Sequence, residues 1–151
     1  ADVVVDVFGA GPATRQRNAF LAPEQWPHAD RLMCVELLTP DGNWSSYPPH
    51  RHDESPECPV NNEEIYYFRI GRGDSPHGDE VGEGLFHFYT VDGSVDETVT
   101  LHDADVYLVP QGYHGPTVAP AYTAPRPAAA TSRPSFTCAS TAACSTKPSP
   151  M

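Results

Sequence analysis

The chain has 151 residues, of which 9 are Lys or Arg and 20 are Asp or Glu, for a formal net charge of −11. That length suits one core-bearing domain, on a prior of roughly 100–200 residues per domain, and the negative field repels phosphate backbones and anionic membrane surfaces, which argues against nucleic acid and membrane partners. No run of about 18 apolar residues occurs and the N-terminus lacks a basic-then-apolar order, so a cytoplasmic protein is expected.

In chain order, the apolar residues fall in short runs at 3–7, 32–38, 65–70, 85–91, 98–101 and 106–109. These are strand lengths rather than helix lengths. Turn chemistry separates them, at Asp41-Gly42, Gly71-Arg72-Gly73-Asp74, Asp92-Gly93 and Gln111-Gly112, each able to supply a residue with positive φ. Residues 23–29 have room for one helical turn, cut short by Pro23 and Pro27. All the acids lie before residue 106, whereas residues 121–151 hold none, and 23 of those 31 are Ala, Pro, Ser or Thr. Such a mixture has too little branched apolar surface to offset the entropy lost on ordering, so a disordered or weakly docked tail is expected there. A shifted reading frame in GC-rich DNA would leave the same composition. The four cysteines, Cys34, Cys58, Cys138 and Cys144, form no CxxC pair and are expected as free thiols. The reading is an all-β domain over residues 1–120, a single antiparallel sandwich or barrel, followed by a low-complexity tail over residues 121–151.

The segment 43–64, NWSSYPPHRHDESPECPVNNEE, concentrates the chemistry. In a strand, side chains at i and i+2 share a face, so His50 and His52 would project together as chelating imidazoles. In the following EIYYFRI, Glu64, Tyr66, Phe68 and Ile70 share one face, placing a carboxylate among aromatics. That is costly unless the carboxylate is paired or holds a cation. His114, in VPQGYHGP, is a candidate fourth ligand at a turn framed by Pro110 and Gly112. Three imidazoles and one carboxylate suit Zn, Mn, Fe, Co or Ni. Two solvated histidines are the blander reading of His-x-His alone. Glu63 and Glu64 face opposite sides of a strand and cannot share a proton.

With these elements in hand, the chain resembles the two-motif pattern of the cupin barrel, a small jelly roll. It is similar in particular to the 5-deoxy-glucuronate isomerase (IolB) branch of the KduI/IolB cupin family. The stretches that carry the likeness are GNWSSYPPHRHDE (42–54), EEIYYFRI (63–70), DETVTLHDADVYLVPQGYHGP (96–116) and, more weakly, GAGPATRQRNAF (9–20). The resemblance implies that residues 1–120 correspond to the C-terminal, metal-bearing barrel of a two-barrel protein. It also implies His50, His52, Glu64 and His114 as metal ligands, with Zn or Mn favoured. The implied reaction converts 5-deoxy-glucuronate to 2-deoxy-5-keto-gluconate in inositol catabolism.

In isomerisation of that kind a divalent metal would stabilise the developing charge as a Lewis acid, and a base must relay a proton. Tyr66, on the face of Glu64, is the expected base, with Tyr113 and His87 behind it. The substrate is a uronate-type sugar acid, so a cationic clamp is expected near the metal, and Arg51 and Arg69 are the nearest in sequence. Two alternatives stand beside this reading. One is a metal-dependent cupin dioxygenase or sugar-binding cupin. The other is a non-catalytic remnant whose missing closing strand leaves a sheet edge open to homo-oligomer formation.

Overall fold

The computed structural model describes residues 3–21, 28, 32–53, 62–71, 82–119 and, for the backbone alone, 135–141. Among them the chain forms ten strands: β1 Val4–Phe8, β2 Arg15–Leu21, β3 Cys34–Pro40, β4 Trp44–Ser45, β5 Glu64–Gly71, β6 Glu83–Tyr89, β7 Asp96–His102, β8 Val106–Val109, β9 Tyr113–Val118 and β10 Ser135–Thr141. A 3-10 turn at Gly11–Ala13 joins β1 to β2. All six expected apolar runs coincide with strands, and Gly42, Gly93 and Gly112 adopt the positive φ expected of their turns. The expected helical turn at 23–29 falls, apart from His28, outside the described residues.

The strands make two antiparallel sheets, one of six strands in the order β1-β2-β3-β10-β5-β8 and one of four in the order β4-β9-β6-β7. This is the all-β, antiparallel architecture that the short runs and turn signals imply, and it agrees with the cupin type that the family resemblance implies. Alternation decides what enters the space between the sheets. On β5, Glu64, Tyr66, Phe68 and Ile70 are buried, whereas Ile65 and Tyr67 on the opposite face stay exposed. Phe86 and Phe88 of β6, Leu101 of β7 and Val109 of β8 close on them to form one apolar cluster. Phe68 and Phe86 are fully buried. Each contributes about 1.5–3 kcal/mol relative to exposure.

Within the expected tail, residues 135–141 are placed as a strand. As β10 they pair with β3 on one side, from Ser135↔Pro40 to Thr141↔Cys34, and with β5 on the other, from Ser135↔Gly71 to Ser140↔Tyr66. Composition undervalues this stretch because each neighbouring strand offers an edge of backbone donors and acceptors that needs pairing. Phe136, Thr137 and Thr141 also suit a pleated surface. The rest of the expected tail lies outside the described residues.

β2, β4 and β9 were not visible as apolar runs. β2 reads Arg-Gln-Arg-Asn-Ala-Phe-Leu, and β9 reads Tyr-His-Gly-Pro-Thr-Val. Both are strands because neighbours supply the ladder, with β2 held between β1 and β3 and β9 between β4 and β6.

Candidate metal centre

The site lies where β5 and β9 approach from the two sheets. Alternation points Glu64 inward at the start of β5, and it is 4% exposed. On β9 the register slips by one residue, from Phe86↔Thr117 to Phe88↔His114. A bulge of this kind re-aims side chains, and His114 is 1% exposed. His50 pairs directly with His114: the His50 amide donates to the His114 carbonyl at 3.2 Å and the His114 amide donates back at 3.0 Å. His52 follows two residues later, and its carbonyl accepts the Asn62 amide at 3.2 Å, bringing the chain back to the entrance of β5. Gly115 permits the close approach. Its φ is +95°, and a Cβ there would collide with the Ser46 carbonyl oxygen.

The four predicted side chains therefore meet. One ligand atom from each of His50, His52, Glu64 and His114 lies within 4.8 Å of the other three. The ring centroids of His50 and His114 are 4.4 Å apart, and those of His50 and His52 are 4.9 Å apart. Glu64 Oε2 is 2.8 Å from His114 Nε2 and 3.3 Å from His52 Nε2. Neither ring nitrogen of His114 makes a well-aligned hydrogen bond among the described residues, although both are buried. The three imidazoles therefore crowd around one carboxylate oxygen, Glu64 Oε2. Burial, then the neighbouring His114 and His52, pushes the His50 imidazole down to about 4, so it is neutral with a lone pair available. The His52 imidazole is held above its ordinary value, chiefly by its hydrogen bond to Glu64. Three nitrogens and one carboxylate oxygen, two of them from buried and two from half-buried side chains, fit a divalent transition metal. These residues could hold such an ion.

Tyr66 stands beside the cluster. Its ring is 5.7 Å from that of His114 and packs on Phe68 and Phe86, and its hydroxyl is 3.4 Å from Ser46 Oγ. Ser46 is buried at φ +48°, an uncommon backbone for a residue other than glycine. Nothing in the sequence pattern marked it.

The other candidates are placed elsewhere. His87 faces away from Phe86 and Phe88, and its Nε2 is 2.8 Å from Asp96. Tyr113 stacks on Tyr89 at 5.0 Å, with the Arg51 guanidinium 5.5 Å over its ring. Arg51 lies 3.7 Å from Asp53, and both line a cleft of about 410 Å³ with Thr90, Asp92 and Gln111. Arg69 donates from Nε to Asp103 at 2.9 Å. The cationic clamp expected from Arg51 or Arg69 is therefore engaged with carboxylates. Cys34 is a free thiol, as expected, and among the described residues no helix is long and apolar enough to cross a membrane.

Comparison with known proteins follows the same outline. The profile of the KduI/IolB family matches residues 1–124. The 5-deoxy-glucuronate isomerase of Geobacillus kaustophilus is 44% identical over 124 residues, which is 81% of this chain and 41% of that protein. That of Bacillus subtilis strain 168 is 40% identical over 105 residues, 68% of this chain and 36% of the relative. This chain thus spans about two fifths of the length of these curated relatives. Among solved structures, an IolB-like protein from Salmonella typhimurium LT2 superposes with a TM-score of 0.70 at 31% identity, covering 93% of this chain and 46% of the other. The oxalate decarboxylase of Lactobacillus farciminis superposes at 0.60 with 9% identity, covering 97% of this chain and 32% of the other, which is a likeness of fold alone. A matching profile, relatives at 40–44% identity and the shared architecture agree: the chain belongs to the KduI/IolB family.

Proposed function

We propose that this chain is the metal-bearing barrel of a 5-deoxy-glucuronate isomerase, converting that aldose to 2-deoxy-5-keto-gluconate in the cytoplasm. The observation that carries the reading is the convergence of His50, His52, Glu64 and His114 within 4.8 Å beside Tyr66, in a chain whose relatives are isomerases.

The reaction moves one proton between adjacent carbons and one between their oxygens, with no net gain or loss of atoms. The four clustered residues are the metal ligands, and zinc or manganese suits their donor set. A divalent ion bound there supplies Lewis acidity toward the substrate's oxygens, where negative charge develops. Tyr66 Oη is the group that relays the carbon-bound proton, with Ser46 Oγ at 3.4 Å to hold it in register. Phe68 and Phe86 fix the Tyr66 ring from behind and keep water from that side. Family membership favours isomerisation over oxygen chemistry on the same donor set.

The test is metal content after a chelator wash, together with isomerase turnover of the zinc- or manganese-loaded chain. About one metal per chain with turnover lost in Tyr66→Phe agrees with the reading. Full turnover in Tyr66→Phe removes Tyr66 as the relay, and a chain that retains no metal removes the proposal.

A further inference from the structure

A sugar acid brings a carboxylate, and the two arginines nearest the cluster in sequence are engaged with Asp53 and Asp103. A third arginine has the placement they lack. The sheet register runs Arg17↔Leu37, Leu37↔Cys138 and Cys138↔Phe68 across β2, β3, β10 and β5. Arg17 therefore lies on the face that Phe68 turns inward, and Arg15, two residues earlier, lies on the same face. Its guanidinium carbon sits 4.3 Å over the Phe8 ring, and Nη1 donates to the Ala13 carbonyl at 3.0 Å. Arg15 Nε is buried with no hydrogen-bond partner among the described residues.

The segment carrying Arg15 is tied to the site. Asn43 Nδ2 donates to the Thr14 carbonyl at 2.7 Å, and Asn43 leads through β4 into Ser46, whose hydroxyl neighbours that of Tyr66. Burial lowers the Arg15 guanidinium below its ordinary value, and the Tyr66 hydroxyl acts against that shift. A buried donor left unsatisfied is costly. A planar guanidinium, held by stacking and one backbone bond, presents its remaining N–H groups to an oxyanion in the geometry a carboxylate matches. Asp6, the acid on the neighbouring strand, is already paired with Arg17.

We propose that Arg15 receives the carboxylate of the sugar-acid substrate and so fixes how far along the sugar the reacting carbons stand from Tyr66 and the His/Glu cluster. This rests on the isomerase reading for its substrate class. It assigns a specificity-determining residue outside the cluster, on the sheet end opposite β8.

The test is calorimetric titration of the full, zinc-loaded chain with D-glucuronate and with the uncharged D-glucuronamide, for wild type, Arg15→Lys, Arg15→Gln and Arg15→Ala. The expected result is a wild-type preference for the acid, a loss of at least tenfold in glucuronate affinity in Arg15→Gln and Arg15→Ala, partial recovery in Arg15→Lys, and unchanged affinity for the amide. Undiminished glucuronate binding in Arg15→Gln overturns the proposal. So does an equal loss for acid and amide, which is the mark of a structural role, and so does a wild type that does not discriminate the two. Turnover on the same proteins separates this proposal from the isomerase reading. A KM unmoved by Arg15→Gln in a working isomerase overturns the clamp alone, whereas Arg15-dependent discrimination without turnover overturns the isomerase reading alone.

Discussion

Two acid–base pairs border the interior of this molecule and sit in different media. Glu64 and His114 span the two sheets and are 4% and 1% exposed, whereas Asp6 and Arg17, on the β1–β2 end of the six-stranded sheet, are 40% and 48% exposed. The six-stranded sheet has two more strands than its partner, and at its β1 end even Val4, on the inward face, is 41% exposed. The same chemistry therefore has different consequences. At the exposed end, water screens the charges and the pair is worth little. In the buried place, each group depends on its neighbours, because a lone charge there is uncompensated. Burial gathers the same kind of acid–base pair into a group that could hold a metal ion.

The sharpest test of the buried pair is to remove its histidine and, as a control, a more exposed histidine that also faces a carboxylate. His114→Ala is expected to abolish stoichiometric metal retention, read by mass spectrometry of the chelator-washed protein, while His87→Ala, whose imidazole lies with Asp96 away from the cluster, retains about one metal per chain. Equal loss in both would remove the distinction between the two places.

Tyr66→Phe separates chemistry from metal binding. It should lower kcat by about 10²–10⁴-fold, the range for a lost proton relay, with metal content unchanged. Metal loss on this substitution would make Tyr66 a structural prop of the cluster. The packing beneath is tested by Phe68→Ala, expected to cost about 3–5 kcal/mol by chemical denaturation, because Phe68 is fully buried between Tyr66 and Phe86. At the open end, Asp6→Ala should cost only about 0.2–1 kcal/mol. A cost near that of Phe68→Ala would show that the β1–β2 end is not solvated as its exposure implies.

The smallest effect concerns an exposed turn that belongs to neither pair. Asp92, between β6 and β7, is pushed down to about 2 by the Thr90 hydroxyl first and then by the amide and hydroxyl of Ser94. A depressed carboxylate contributes stability that is present above its unfolded value near 3.8 and is lost as pH falls toward about 2. The advantage of wild type over Asp92→Asn in thermal midpoint should therefore shrink between about pH 4 and pH 2. A difference that is constant with pH would exclude charge as its source.

Much of the site was legible in the sequence. His50 and His52 share a face because a strand repeats every two residues, and the carboxylate of Glu64 stood out against the aromatics that alternate with it. His114 was marked by its turn residues, although the bulge that aims it was not. Ser46 and Arg15 carried no such mark. A serine becomes informative only when its backbone is seen in a left-handed conformation against Gly115, and an arginine in a polar strand becomes informative only when its Nε is seen buried.

Local periodicity and turn chemistry, which act over a few residues, were enough to determine an all-β chain, its six apolar strands and the four groups able to hold a metal. The tertiary structure alone decided the rest. It made a strand of residues 135–141, brought His52 back toward Glu64 across Asn62, and set Arg15 on the inward face of a polar strand. Each of these depends on pairing between segments distant in the chain, where the need of one strand edge for a hydrogen-bonding partner outweighs the weak intrinsic preference of the segment that fills it.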